Sequence, residues 1–110
     1  KKFYGAADFF IFPTIYEACP LAAMEAAAAG LPLLVTRVNH LEEFVEEGIN
    51  GFFIKREPRS IANAITLLID NRQKLKEMGI EAQRRAQVFH IENIADMYRQ
   101  LYQKILGNKN

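Results

Sequence analysis

The chain has 110 residues, half of them hydrophobic, which is enough for one small domain with a real core and not for two. Fourteen Lys and Arg stand against thirteen Asp and Glu, and this near balance argues against a general nucleic-acid binder. The single cysteine, Cys19, excludes an intrachain disulfide and fits an intracellular compartment, and the isolated His40 and His90 make no zinc-type cluster.

Charge is uneven along the chain. The segment 59–110 carries nine basic residues against five acids, whereas 42–47 is acidic. A basic C-terminal half suits anionic lipid or anionic ligands, or is simply a solvated helix face. The longest apolar run is broken by Glu25, Gly30 and Pro32 before the roughly 20 residues a bilayer needs. The opening Lys1-Lys2-Phe3-Tyr4 lacks the apolar core of a signal peptide and reads as an element cut midway, so a fragment is expected.

In chain order, Phe3, Tyr4 and Ala7 fit the end of a helix. "DFFIFP" then reads as a short strand buried on both faces, stopped by Pro13. A loop covers Thr14 to Cys19. Pro20 suits the first helical position, where a missing N–H costs nothing. Leu21 to Ala29 is rich in strong helix formers; Gly30 is the natural cap and Pro32 prevents continuation. "LPLLVT" is a second buried strand, completing a compact βαβ unit with parallel strands. Leu41 to Glu47 predicts a short helix ended by Gly48, and Asn50-Gly51 a turn into a third strand. From Pro58 the pattern is helical. One stripe is Ile61, Ala62, Ile65, Leu68 and Ile69; a second is Leu75, Met78, Ala82 and Ala86; a third runs from Ile91 to Ile105. Breaks are expected at Asp70-Asn71 and Phe89-His90. The fold class is therefore α/β: a partial Rossmann-like parallel sheet of about three short strands, with flanking helices and a helical C-terminal end.

Glu25 is the one charge between Leu21 and Ala29. A helix apolar all round is usually buried, and an ionised carboxylate there costs several kcal/mol unless it is paired. No Lys or Arg lies within helical reach on this segment, so the partner comes from elsewhere in the fold, from water or from a ligand. Helical side chains lean toward the N-terminus, and that end follows the first strand, where open α/β sheets bind ligands. Free N–H groups there attract phosphate, and a carboxylate accepting from ribose hydroxyls completes a nucleotide site. Glu17 stands eight residues earlier, at the mouth of the same site. The alternatives are an ordinary exposed loop acid at Glu17 and a buried acid with a distant Arg at Glu25.

The quoted stretches "FFIFPT", "YEACPLAAMEAAAAGLPLLVT" and "EEFVEEGINGFFI" resemble glycosyltransferase family 4, retaining enzymes of the GT-B fold that use nucleotide-sugar donors. The resemblance implies that residues 1–110 form a single partial domain, the C-terminal nucleotide-sugar-binding half of such an enzyme. It implies that Glu25 binds the ribose hydroxyls and that Glu17 contacts the transferred sugar near the reacting centre. Backbone N–H groups around Cys19, Pro20 and Leu21, with Thr14 nearby, would meet the diphosphate or sugar. No metal or cofactor is implied beyond the nucleotide diphosphate sugar itself, and no Asp-x-Asp occurs.

Two departures from the family pattern stand out. The usual Phe-Gly is Cys19-Pro20, and Pro20 removes one N–H donor. The usual Gly-Gly after the second strand is Asn39-His40, whose bulk would narrow the space beside the sugar. The family's basic pair for the leaving diphosphate lies upstream and is not in this sequence; nor is the acceptor-binding N-terminal domain. The fragment is therefore expected to be inactive alone. Competing readings are a non-catalytic interaction module with a degenerated donor site, and a GT-B sugar-nucleotide epimerase. A cytoplasmic location, peripheral membrane contact of the full-length enzyme and self-association of the fragment complete the expectations.

Overall fold

The computed structural model describes residues 2–16, 21–89 and 91–107. Its centre is a three-stranded parallel sheet of order β1-β2-β3, made by β1 (Phe10–Phe12), β2 (Leu33–Val35) and β3 (Gly51–Phe53). Phe10, Ile11 and Phe12 sit opposite Leu33, Leu34 and Val35, which in turn face Gly51, Phe52 and Phe53.

The central strand is fully buried, and its alternation builds two cores. Leu33 and Val35 point into one, with Ala23, Ala26, Ala27, Leu41, Phe44 and Ala82. Leu34 points into the other, with Ile54, Ala64, Leu68 and Met78. Each fully buried Leu or Val contributes roughly 1.5–3 kcal/mol. β1 corrects the expectation of a strand buried on both faces: its residues are half-buried, because it forms one edge of the sheet.

The helices are α1 (Lys2–Ala6), α2 (Leu21–Ala28), α3 (Leu41–Phe44), α4 (Pro58–Ile69), α5 (Arg72–Ala86) and α6 (Ile91–Gly107), with a 3-10 turn at Gln87–Phe89. α2 ends as its sequence dictates. Gly30 takes φ 84°, its N–H donates to the Ala27 carbonyl, and Leu31 N–H donates to Ala26. This compact end lets α5 cross at close range: a Cβ on Gly79 would lie 2.3 Å from the Gly30 carbonyl oxygen. Gln83 Nε2 donates to the Ala28 carbonyl beside it. α5 sends Met78 into one core and Ala82 and Ala86 into the other, and so ties the two layers together.

The segment 41–50 differs from its expected form. The helix stops at Phe44, because Val45 turns extended and is buried in the core. The turn covers Gly48 to Asn50, with Gly48 at φ 79°, and Gly51 already belongs to β3. Asn50 is fully buried; its Oδ1 accepts from Glu46 N–H at 2.7 Å and its Nδ2 donates to the Phe44 carbonyl at 2.9 Å. Arg85 of α5 reaches the same loop, pairing with Glu46 and donating to the Phe44 carbonyl.

The α4 stripe is shifted from the expected one. Ala64 and Leu68 are buried and Ile61 and Ile65 half-buried, while Ala62 and Ile69 face solvent. On α6 the periodic apolar residues Met97, Tyr98, Leu101, Tyr102 and Ile105 are all exposed. No helix among the described residues is long and apolar enough to cross a membrane.

Candidate functional site

α2 starts at Leu21 and follows in the chain the loop residues 13–16 that leave the carboxyl end of β1. Its sequence divides it by size. Ala23, Ala26 and Ala27 are completely buried, and such small side chains allow close approach to the sheet and to α5. The opposite face carries Leu21, Ala22, Glu25, Ala28 and Ala29, all exposed. This corrects the view of α2 as a helix buried on every side. Glu25 carries no large desolvation penalty, since it stands on the open face.

The Glu25 carboxylate makes no hydrogen bond or ion pair with any described residue. The alternative of a buried acid held by a distant arginine therefore fails among the described residues. With Tyr4, Ala28 and Ala29, Glu25 lines a cleft of about 560 Å3 beside the C-terminal half of the helix. Leu21 lies four residues earlier on the same face, 62% exposed. An acceptor-only carboxylate beside apolar walls suits a ligand that offers hydroxyl donors.

Thr14 lies on the other side of the same loop. Its Oγ1 donates to the Tyr16 carbonyl, and its own carbonyl accepts from Thr36 Oγ1 at 2.6 Å. That bond ties the loop after β1 to the end of β2. Glu17, Cys19 and Pro20, the remaining expected site residues, lie outside the described residues.

Thr14 opens on a second cleft, of about 590 Å3, over the carboxyl ends of all three strands. Arg37, Lys55 and Arg56 also line it. Reading the sequence did not single these out. The signal was present as "TR" and "KREPR", cations placed directly after two expected strands. Arg37 lies over the Phe53 ring, 4.0 Å from its centroid. No group of three His, Cys, Asp or Glu among the described residues is arranged to hold a metal.

His40 occupies a backbone position that ordinarily favours glycine. It has φ 71° and ψ −37°, a conformation that non-glycine residues adopt only under strain. Its side chain is exposed and makes no cap to α3.

Comparison with known proteins agrees with this architecture. The chain is 33% identical over 108 residues to the D-inositol 3-phosphate glycosyltransferase of Corynebacterium glutamicum, covering 97% of this chain and 26% of that protein. It is 30% identical over 112 residues to the glycogen synthase of Thermodesulfovibrio yellowstonii, covering 98% of this chain and 22% of that protein. The chain thus spans about a quarter of the length of these curated relatives. Among solved structures it matches sucrose-phosphate synthase from Thermosynechococcus elongatus with a TM-score of 0.86 and 29% identity, over 96% of this chain and 27% of that one. Anabaena HepE, solved with UDP-glucose, shares the fold at a TM-score of 0.80 and 23% identity, over 96% of this chain and 29% of that one. These neighbours are GT-B glycosyltransferases. The pattern of the glycosyl transferases group 1 family matches residues 1–85, and the chain belongs to that family.

Proposed function

We propose that the complete protein transfers a sugar from a nucleotide diphosphate sugar to an acceptor with retention, as a member of glycosyltransferase family 4. Residues 1–110 supply the donor-binding C-terminal half of its site, and the protein works in the cytoplasm, at most peripherally on a membrane. The observation that carries this reading is Glu25, whose exposed carboxylate is unpaired among the described residues on the open face of α2, where it lines a cleft with Ala28 and Ala29. A UDP-glucose complex of a GT-B protein sharing this fold supports a nucleotide sugar as the donor.

In this reading Glu25 accepts hydrogen bonds from the two ribose hydroxyls, as carboxylates do in dinucleotide-binding folds. The diphosphate lies at the start of α2, where Leu21 N–H and the positive end of the helix dipole compensate its charge. Glu17 orients the transferred sugar. The bond between the anomeric carbon and the diphosphate oxygen breaks as the acceptor hydroxyl oxygen bonds to that carbon from the same side. The hydroxyl proton passes to the departing phosphate oxygen. No covalent role is given to Glu17 in this front-face route.

Titration of the chain with UDP and GDP, followed by backbone amide shifts, tests the reading. Saturable shifts at Leu21 and Glu25 that disappear in Glu25→Gln support it. Silence at both residues with either nucleotide would refute it and favour a non-catalytic interaction module.

A further inference from the structure

The cleft over the strand ends gathers cations from two separate loops. Arg37 follows β2, and Lys55 and Arg56 follow β3. Arg37 is held in place by a ring and two carboxylates. Its guanidinium is stacked on Phe53, and its two carboxylate neighbours, Glu42 and Glu47, stand at 3.8 and 3.9 Å, the outer limit of an ion pair. Glu47 is partly committed elsewhere, since its Oε2 also accepts from Phe53 N–H at 3.0 Å. Lys55 and Arg56 have no carboxylate within ion-pair distance among the described residues. Ser60 Oγ accepts from Lys55 N–H at 2.9 Å and fixes the backbone that presents them. Glu57 and Glu47 also line the cleft and Glu42 pairs with Arg37, so the cations left without a carboxylate partner among the described residues are Lys55 and Arg56. The position is that at which open parallel sheets receive ligands.

We propose that this cleft binds a phosphate group, with Arg37, Lys55 and Arg56 as its donors. A guanidinium stacked on an aromatic ring is a pre-set fork for phosphate oxygens, and two unpaired cations add charge-assisted hydrogen bonds. The site does not include Glu25, and phosphate binding there does not depend on the transferase reading, whereas the naming of its two sources rests on that reading. Two sources carry this chemistry: the diphosphate of a nucleotide donor, and a phosphate borne by an acceptor.

The test is an amide-shift titration of the chain with inorganic phosphate at constant ionic strength. Saturable shifts are expected at Thr36, Arg37, Lys55 and Arg56. The double variant Lys55→Gln/Arg56→Gln should weaken binding by about tenfold or more. Lys76→Gln removes a charge on α5 away from this cleft and should leave affinity unchanged. Circular dichroism checks that the variants keep their helices. Scattered, non-saturating shifts overturn the proposal, as does an equal loss in Lys76→Gln. UDP and glucose 6-phosphate then separate the sources. If UDP shifts the cleft together with Leu21 and Glu25, the phosphate is the donor's. If glucose 6-phosphate shifts the cleft while UDP moves only Leu21 and Glu25, it is the acceptor's. Cleft shifts by inorganic phosphate with silence at Leu21 and Glu25 would refute the donor site and leave this proposal standing.

Discussion

Replacing Gly79 by alanine sets two effects of known size against each other. Within a helix, Gly→Ala ordinarily gains about 1 kcal/mol, because glycine loses more backbone freedom on folding. In α5 the added Cβ would lie 2.3 Å from the Gly30 carbonyl oxygen and 3.3 Å from its carbon, with Pro32 Cδ at 3.6 Å. The obstruction is backbone, pinned by the Ala27 and Ala26 hydrogen bonds that close α2, and no side chain can rotate to relieve it. α5 must therefore retreat by roughly 1.1 Å or more to reach ordinary van der Waals separation. That retreat loosens the packing around Ala26, Ala27, Met78 and Ala82, all essentially inaccessible to solvent. Overpacking of this kind costs about 1–3 kcal/mol, and the lost contacts add to it. The expected balance is a net loss of about 2 kcal/mol, a fall in Tm of roughly 8–16 °C for a domain of this size. Urea and thermal denaturation followed by circular dichroism measure it. Gly107→Ala, where nothing lies within 4 Å, is the control and should be neutral or mildly stabilising. A Gly79→Ala chain as stable as the parent would refute the close-crossing argument.

Other outcomes are expected from single residues. Asn50→Ala removes two buried side-chain hydrogen bonds that brace the turn 44–50 and should cost about 2–3 kcal/mol by urea denaturation; a loss below about 0.5 kcal/mol would show that water replaces the amide. His40→Gly relieves backbone strain of about 1–3 kcal/mol against a glycine entropy cost of about 0.5–1, so a higher Tm is expected, and a lower one would contradict the strain. The hydrogen bond from Arg84 holds the Glu81 carboxyl below its ordinary value of 4.5, reinforced by the charges of Arg84 and Arg85. Its stabilising effect is therefore complete above the unfolded glutamate pKa and lost as pH falls through the lower folded value; Arg84→Ala should raise the Glu81 titration midpoint seen by carboxyl-carbon NMR, and no movement would refute the pairing. The exposed Tyr98, Leu101 and Tyr102 on α6 should drive self-association at high concentration, reduced by Leu101→Glu; light scattering showing a clean monomer would count against this.

Elements with strong local chemistry were readable from the residues. Gly30 and Pro32 after an alanine-rich run mark the end of α2, and the apolar "LLV" between Pro32 and Thr36 marks the buried central strand. What escaped reading depends on contacts distant in sequence. Asn50-Gly51 has the composition of a tight turn, yet the Asn50 amide serves carbonyl and N–H groups at 44 and 46 while Gly48 bends the chain. Gly79 interrupts a helical pattern for a reason that exists only where α2 ends against α5. The cations at 37, 55 and 56 are separated by a helix, a turn and a strand, and only the parallel register of β2 and β3 brings their loops to one cleft.

The glutamate among alanines now has a different explanation from burial. Composition alone made α2 apolar on every side, which turned Glu25 into an energetic problem requiring a partner. The structure separates two uses of small size. Alanine at 23, 26 and 27 is selected by close packing, since any larger side chain there would collide with the sheet or with α5. Alanine at 22, 28 and 29 touches solvent, where packing asks for nothing small. An exposed helix face is ordinarily filled with Lys, Glu, Gln and Arg, so alanines left there imply that the face is kept low and accessible. Glu25 is then the single charge on that helix face, with no cation in ion-pair range among the described residues, where a carboxylate is most available to hydroxyl donors from outside. On this argument Ala28→Lys should impair nucleotide binding nearly as much as Glu25→Gln while leaving stability unchanged, because it fills the cleft and offers Glu25 a local partner. Undiminished UDP affinity in Ala28→Lys would show that the open face of α2 is ordinary surface.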